Sequence, residues 1–118
     1  MRAFLFVGIL AAAVSTNAAA QAADGKALYD AQCKKCHGAL GTPTKPMAAK
    51  FPKMLPFNDR QAGTAKGTVA DVVGILAKGK GADMKPFGDK LNMDPKTKNS
   101  AEMTAVAKYV LELAKPKS

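Results

Sequence analysis

Five consecutive residues constrain this chain more than any other feature. Cys33 and Cys36 are its two cysteines and His37 is its single histidine, so the segment reads C-x-x-C-H. Residues three and four positions apart share one face of a helical turn, which brings the two thiols and the imidazole together. This spacing is typical of covalent haem attachment. We therefore predict one haem c, held by thioethers at Cys33 and Cys36, with His37 as an axial ligand of the iron.

Three other uses of the motif agree less well with the rest of the sequence. A thioredoxin-like dithiol belongs to a βαβ context, and no segment here has a convincing strand pattern. A zinc site needs four ligands, typically cysteines and histidines, whereas this chain has two cysteines and one histidine. A disulfide across so short a loop is sterically awkward and leaves the adjacent histidine unexplained.

The beginning of the chain has the pattern of an export signal. Arg2 is followed by an apolar run and then by mostly small residues, in the order found in secretory signal peptides. A membrane-spanning helix needs roughly 20 apolar residues, and this run ends too early. We predict a signal peptide over 1–22 and one domain over 23–118, located in the periplasm. Cleavage is expected before Ala23, with cuts after Ala20 or after Ala23 as alternatives.

The excess of positive charge bears on partners rather than on fold. The net charge of the whole chain is +9, and removal of the signal peptide lowers it by one. The lysines are scattered instead of massed in one arm or helix, which argues against nucleic acid as a partner. We expect redox proteins with an acidic docking face as partners, no stable membrane insertion after cleavage, and a monomer.

Three segments have helical patterns, and the connections between them are rich in glycine, proline and lysine, so we predict an all-α domain. Asp24 is placed to cap a first helix that runs from about Gly25 into the cysteine motif. Gly25, Tyr29, Cys33 and His37 follow one another at spacings of four and therefore share one face of the helix. That face carries the predicted chemistry.

The other two helices are predicted from their first turns and their apolar spacing. Thr68 with Asp71 marks the start of a short middle helix that stops at Gly79. Asn99 with Glu102 marks the start of the last helix, in which apolar residues recur every three or four positions. Both helices are therefore expected to bury one face.

The connection from 38 to 67 contains four prolines and is predicted to be a wrapped loop. Residues 47 to 53 leave room for a turn or two of helix between those prolines. A connection this long is uncommon in a small domain unless it serves a site. We expect it to cover the haem.

With His37 on one side of the iron, the opposite position falls to methionine, lysine, water or nothing. The predicted mature chain offers Met47, Met54, Met84, Met93 and Met103. Met103 belongs to the apolar stripe of the last helix and is expected in the core, and the first two can simply pack against the haem edge. Met93 lies in a polar stretch typical of the surface. Met84 differs, because it follows flexible glycines and precedes Pro86, so that a stiffened loop presents its thioether.

Several stretches together carry a family resemblance: Gly25 and Tyr29 with the C-x-x-C-H motif, residues 79–87, and Tyr109 with Val110. In these stretches the chain resembles a small class I monohaem cytochrome c of the bacterial periplasmic kind, similar to the c5, c6 and c555 groups. The resemblance implies that the first and last helices pack across each other around one haem. It also implies that Met84 is the second axial ligand, with Met93 as the alternative. Many family members have proline directly after this methionine, whereas Lys85 follows it here.

Two finer contacts are implied by the same resemblance. Where the terminal helices cross in this family, a small residue meets an aromatic one, and Gly25, Tyr29 and Tyr109 fit that pattern. A proline soon after the motif supplies a backbone carbonyl to the free N–H of the ligand histidine. Pro43 is expected to play this part, with Pro46 as the alternative.

The expected function is that of a soluble electron carrier. Histidine and methionine together hold iron at six coordination in both redox states and favour the ferrous form. The carboxylates are few and scattered, and the single histidine is committed to the iron, so we predict no catalytic residues and no enzyme activity. The alternative is a ligand-binding or peroxidatic haem protein with an open or labile sixth position.

Overall fold

The computed structural model describes residues 23–116, and this part of the chain is built from helices. Five α-helices, numbered here α1 to α5, span Gly25–Gln32, Lys34–His37, Lys45–Lys50, Val69–Lys78 and Ala101–Ala114. Short 3-10 helices lie at Gly63–Ala65 and Asp89–Leu91. Between 23 and 116 there is no β-strand, and the predicted all-α class is confirmed. The predicted signal peptide over 1–22 lies outside the described residues.

The first helix begins as the sequence predicts and is interrupted inside the motif. The Asp24 carboxylate accepts a hydrogen bond from the amide of Ala27 at 3.1 Å, which caps α1. At Cys33 the backbone departs from ideal helical angles, with φ −118° and ψ −36°, and α2 follows as a separate turn. The carbonyl of Cys33 still accepts from the amide of His37 at 2.9 Å. The spacing of the motif on one helical turn is therefore kept.

The first and last helices make the most extensive helix contact of the described residues. Gly25 lies so close to α5 that an added Cβ would overlap the carbonyl of Ala105 and come within 3.3 Å of the Tyr109 Cβ. Tyr29 is fully buried, and its ring meets that of Tyr109 edge to face at 5.2 Å between centroids. The expected crossing of a glycine and an aromatic residue is confirmed.

The core between these helices is completed by α4. The buried residues of α4 are Val72, Val73 and Leu76, and those of α5 are Met103, Val106, Ala107, Val110 and Ala114. Thr68 and Asp71 form the predicted capping box, in which the Thr68 hydroxyl accepts from the Asp71 amide at 3.2 Å. The predicted burial of Met103 is confirmed, at 0% exposure.

The predicted start of the last helix is wrong by one residue. Ser100, not Asn99, is the N-cap, and its hydroxyl accepts from the Met103 amide at 3.0 Å. Asn99 is held instead by an isolated bridge, since its carbonyl accepts from the amide of Asp94 at 2.9 Å. This contact closes a short loop before α5. The hydroxyl of the next residue, Ser100, then caps the helix.

The long connection holds more structure than the wrapped loop that was predicted. Its helix α3 starts at Lys45, two residues before the stretch that left room for a turn, and ends at Lys50. Pro46 lies in the first turn of this helix, where backbone amides have no acceptor within the helix. This proline is therefore compatible with the start of α3 and does not prevent it. None of the helices in the described part of the chain has the length and apolar composition needed to cross a bilayer.

Candidate functional site

A mostly apolar, open cavity of about 860 Å³ lies between the motif, the connection from 38 to 67, α4 and the segment after α4. Cavities of this size accommodate sizeable ligands. Its apolar lining includes Tyr29, Phe51, Leu55, Phe57, Val72, Ile75, Leu76, Phe87 and Val110. The proline-rich connection forms one side of this cavity, so its length serves a site.

All three residues of the motif line this cavity. Cys33 closes α1 and is 8% exposed, while Cys36 and His37 lie half-buried in α2. Both cysteines are free thiols. The helical turn therefore presents two thiols and an imidazole to one wall of an apolar space.

The electrostatics of Cys33 disfavour the dithiol alternative. Burial, with a smaller contribution from the neighbouring Cys36, raises the pKa of the Cys33 thiol to about 11. The reactive species in thiol–disulfide exchange is the thiolate, and redox-active motifs lower the pKa of the attacking thiol. Cys33 remains protonated at neutral pH, which is the opposite of what a thioredoxin-like site requires.

The half-buried side chain of His37 is suited to metal binding. Burial lowers its pKa below the ordinary value, so the imidazole is neutral at pH 7 and keeps a lone pair for a metal. Its Nδ1 atom is buried and, among the described residues, has no hydrogen-bond partner. The expected hydrogen bond to the carbonyl of Pro43 or Pro46 is therefore wrong. The segment after the motif is tied back differently, because the amide of Thr44 donates to the carbonyl of Cys36 at 3.2 Å.

These residues fit a covalently held haem. An apolar cavity suits the porphyrin, two free thiols at its wall suit the thioethers, and a neutral imidazole beside them suits the iron.

Met84 reaches the same cavity from the segment that follows α4. Gly79 ends α4 with φ +74°, and the backbones of Lys80 and Met84 then pair, with N···O distances of 2.9 and 3.3 Å. The amide of Phe87 donates to the carbonyl of Leu76 at 2.8 Å and ties the far end of the segment to α4. Met84 is half-buried and lines the cavity. The structure thus places a thioether, two thiols and the imidazole around one space.

The remaining methionines separate into two groups. Met47 and Met54 line the cavity along with Met84, in keeping with the expected packing against a haem edge. Met93 is half-buried and packs against the hydrophobic core, so the expectation of a surface residue is wrong. It is absent from the lining of the cavity, which weakens it as the alternative ligand.

Gly79 offers a test of the loop that presents Met84. An added Cβ would overlap the carbonyl oxygen of Met84 and lie 2.9 Å from the nitrogen of Pro86, at a positive φ that side chains rarely adopt. We expect Gly79→Ala to lower the free energy of unfolding by about 1–3 kcal/mol, measured by guanidinium denaturation. Gly63→Ala is the matched control, because a Cβ there meets no atom within 4 Å. Equal free energies of unfolding in Gly79→Ala and Gly63→Ala would show that the close approach of Gly79 to Met84 does not constrain the loop.

The charge around the cavity mouth is a feature that the sequence did not reveal. Four exposed lysines, Lys50, Lys53, Lys80 and Lys85, belong to the residues that line it, against one exposed carboxylate, Asp83. They come from two segments about thirty residues apart in sequence, so no run of charge marks them. The side of the molecule on which the site opens is positively charged.

Comparisons with known proteins agree with this arrangement. A family model described as cytochrome c matches residues 22–114, a range that includes all five helices and the motif. Among solved structures, the chain is similar to the KustC0563 c-type cytochrome, with 28% sequence identity and a TM-score of 0.59. That similarity covers 78% of this chain and 99% of the other. A search of curated proteins found no match.

Proposed function

Because this chain belongs to the cytochrome c family, whose members bind haem c covalently and transfer electrons, we propose that it is a single-haem electron carrier with histidine and methionine as axial ligands. The haem supplies a ferric/ferrous couple that takes up and releases one electron. The observation that carries the proposal is the convergence of Cys33, Cys36, His37 and Met84 on one apolar cavity.

Each of these residues has a distinct part in the proposal. Cys33 and Cys36 anchor the porphyrin through thioether bonds, and the burial of Cys33 keeps that edge away from water. His37, neutral because burial lowers its pKa, donates its lone pair to the iron. Met84 would supply a thioether to the same iron, and such a soft ligand would favour the ferrous form. With histidine and methionine both bound, the iron would have no open position for a substrate.

The finer assignments belong to the same proposal. We place the chain with the small class I monohaem cytochromes of the c5, c6 and c555 groups, exported to the periplasm after loss of 1–22. The lysines at the cavity mouth favour a redox partner whose docking face is acidic, since complementary charge speeds and orients encounter. A monomer is expected.

The visible spectrum of the holoprotein tests this proposal. We expect low-spin bands in both redox states, and in the ferric state the weak long-wavelength band of iron bound to a thioether. Carbon monoxide added to the reduced protein should leave the spectrum unchanged, because the sixth position is occupied. High-spin bands or ready binding of carbon monoxide would contradict the carrier and support a ligand-binding or peroxidatic protein with an open iron.

A further inference from the structure

The hydroxyl of Tyr29 is bonded to the backbone immediately after the proposed iron ligand. It donates to the carbonyl of Gly38 at 2.7 Å, and Gly38 follows His37 directly in the chain. The side chain of Tyr29 is fully buried, and this burial raises the pKa of its hydroxyl above the ordinary value. The hydroxyl therefore stays protonated, and remains a donor, throughout the physiological pH range.

The ring that carries this hydroxyl is fixed by the packing of the terminal helices. Tyr29 belongs to α1, and its ring meets that of Tyr109 in α5 edge to face at 5.2 Å between centroids. One helical turn earlier, Gly25 lies so close to α5 that an added Cβ would overlap the carbonyl of Ala105. A ring packed at interior density has little freedom to move. The helix crossing thus sets where the hydroxyl meets Gly38.

The turn that accepts this hydrogen bond follows a closely constrained path. Gly38 has φ +73°, and an added Cβ would overlap the carbonyl oxygen of Thr42. A few residues later the amide of Thr44 donates back to the carbonyl of Cys36 at 3.2 Å. The chain therefore folds back on the motif in a tight turn, and the hydroxyl of Tyr29 ties that turn to α1.

We propose that Tyr29 is a positioning residue for His37: its hydroxyl fixes the peptide that follows the ligand and so helps to set the plane in which the imidazole meets the iron. The proposal rests on the proposed function, because it takes His37 to be an iron ligand. The geometry of a metal site depends on hydrogen bonds behind the ligands as well as on the ligands themselves. Here the bond goes to the backbone, so its effect does not depend on the acceptor of the imidazole N–H.

The test removes a single oxygen atom from the holoprotein. Tyr29→Phe deletes the hydroxyl and keeps the ring, so the peptide after His37 loses its tie to α1. The haem-methyl resonances in the ferric proton NMR spectrum depend on the planes of the axial ligands, and we expect their pattern to change. Tyr109→Phe is the matched control, because Tyr109 makes the same ring contact from the other helix, whereas the hydrogen bond to Gly38 comes from Tyr29. This control should retain the wild-type pattern.

Two outcomes would overturn the positioning role and leave the carrier function standing. The first is a wild-type haem-methyl pattern in Tyr29→Phe with low-spin bands retained, even if the variant unfolds at a lower temperature, because the hydroxyl would then serve stability alone. The second is an equal change of pattern in Tyr109→Phe, because the effect would then come from the helix crossing and not from the hydrogen bond. An open iron in the wild-type spectrum would instead overturn the carrier function itself.

If Tyr29→Phe yields no holoprotein, the ferrous wild-type protein decides. We then expect a slowly exchanging hydroxyl proton of Tyr29 in the proton NMR spectrum, with nuclear Overhauser effects to protons of Gly38. The absence of this resonance would overturn the proposal, because no fixed hydrogen bond would then link α1 to the turn after His37.

Discussion

Replacement of Met84 by alanine is expected to open the iron. In Met84→Ala, the ferric long-wavelength band should disappear, high-spin bands should appear, and the reduced protein should bind carbon monoxide. The reduction potential should fall by on the order of 0.1 V or more, since loss of the thioether removes the preference for ferrous iron and axial ligands span a range of about 0.8 V. Optical spectra and voltammetry of the purified holoprotein measure these changes. Covalent attachment should persist, because Cys33 and Cys36 are untouched.

The chain provides its own controls for this prediction. Met54→Ala removes another methionine from the cavity lining, and Met93→Ala removes the alternative ligand, which packs against the core. Both variants should keep the long-wavelength band and exclude carbon monoxide. A wild-type spectrum in Met84→Ala, together with loss of the band in either control, would move the ligand to that methionine. Retention of the band in all three variants would show that none of these thioethers alone is the ligand.

The second large effect is expected at the crossing of the terminal helices. In Gly25→Val, the new Cβ would occupy the space of the Ala105 carbonyl oxygen and would press on Tyr109. Overpacking costs about 1–3 kcal/mol and occasionally more, and the obstacle here is backbone, so we expect a loss of about 3 kcal/mol or more. For a domain of this size that corresponds to a fall in Tm of roughly 10–20 °C. Thermal and guanidinium unfolding of the holoprotein measure the loss.

Gly74→Val separates the contact from the change in helix propensity. Gly74 lies within α4, and a Cβ there meets no atom within 4 Å. Valine is a slightly better helix former than glycine, so the control should be neutral within about 0.5 kcal/mol or slightly stabilised. Comparable losses in the two variants would show that valine in a helix, and not the approach of α1 to α5, sets the effect.

The sequence correctly predicted the features that depend on residues close together in the chain, such as helix caps and apolar stripes. The caps of α1 and α4 involve side chains three residues from the amides they serve, at Asp24 and at Thr68 with Asp71. The apolar stripes of α4 and α5 follow helical spacing, and their buried residues agree with it. The shared wall formed by Cys33, Cys36 and His37 likewise depends on one helical turn.

Two of the predictions that were wrong concern residues five or more positions apart in sequence. Asn99 was expected to cap α5, but its carbonyl is taken by Asp94, and Ser100 caps the helix. Pro43 or Pro46 was expected to hold His37, but the described residues place no acceptor on its Nδ1. Periodicity and capping preferences describe residues up to four positions apart, and both of these contacts lie beyond that range.

By itself, the sequence determined the chemistry that is available: two thiols and one imidazole on a single turn, and methionines as the candidates opposite. It also determined three helices, because their apolar spacing and the caps of α1 and α4 are set by residues three and four positions apart. Only the tertiary structure decided which methionines share the cavity, that Phe57 faces His37, and that lysines of two segments surround the opening. The physical reason is that these contacts join segments separated by long stretches of chain, and packing, not local propensity, brings such segments together.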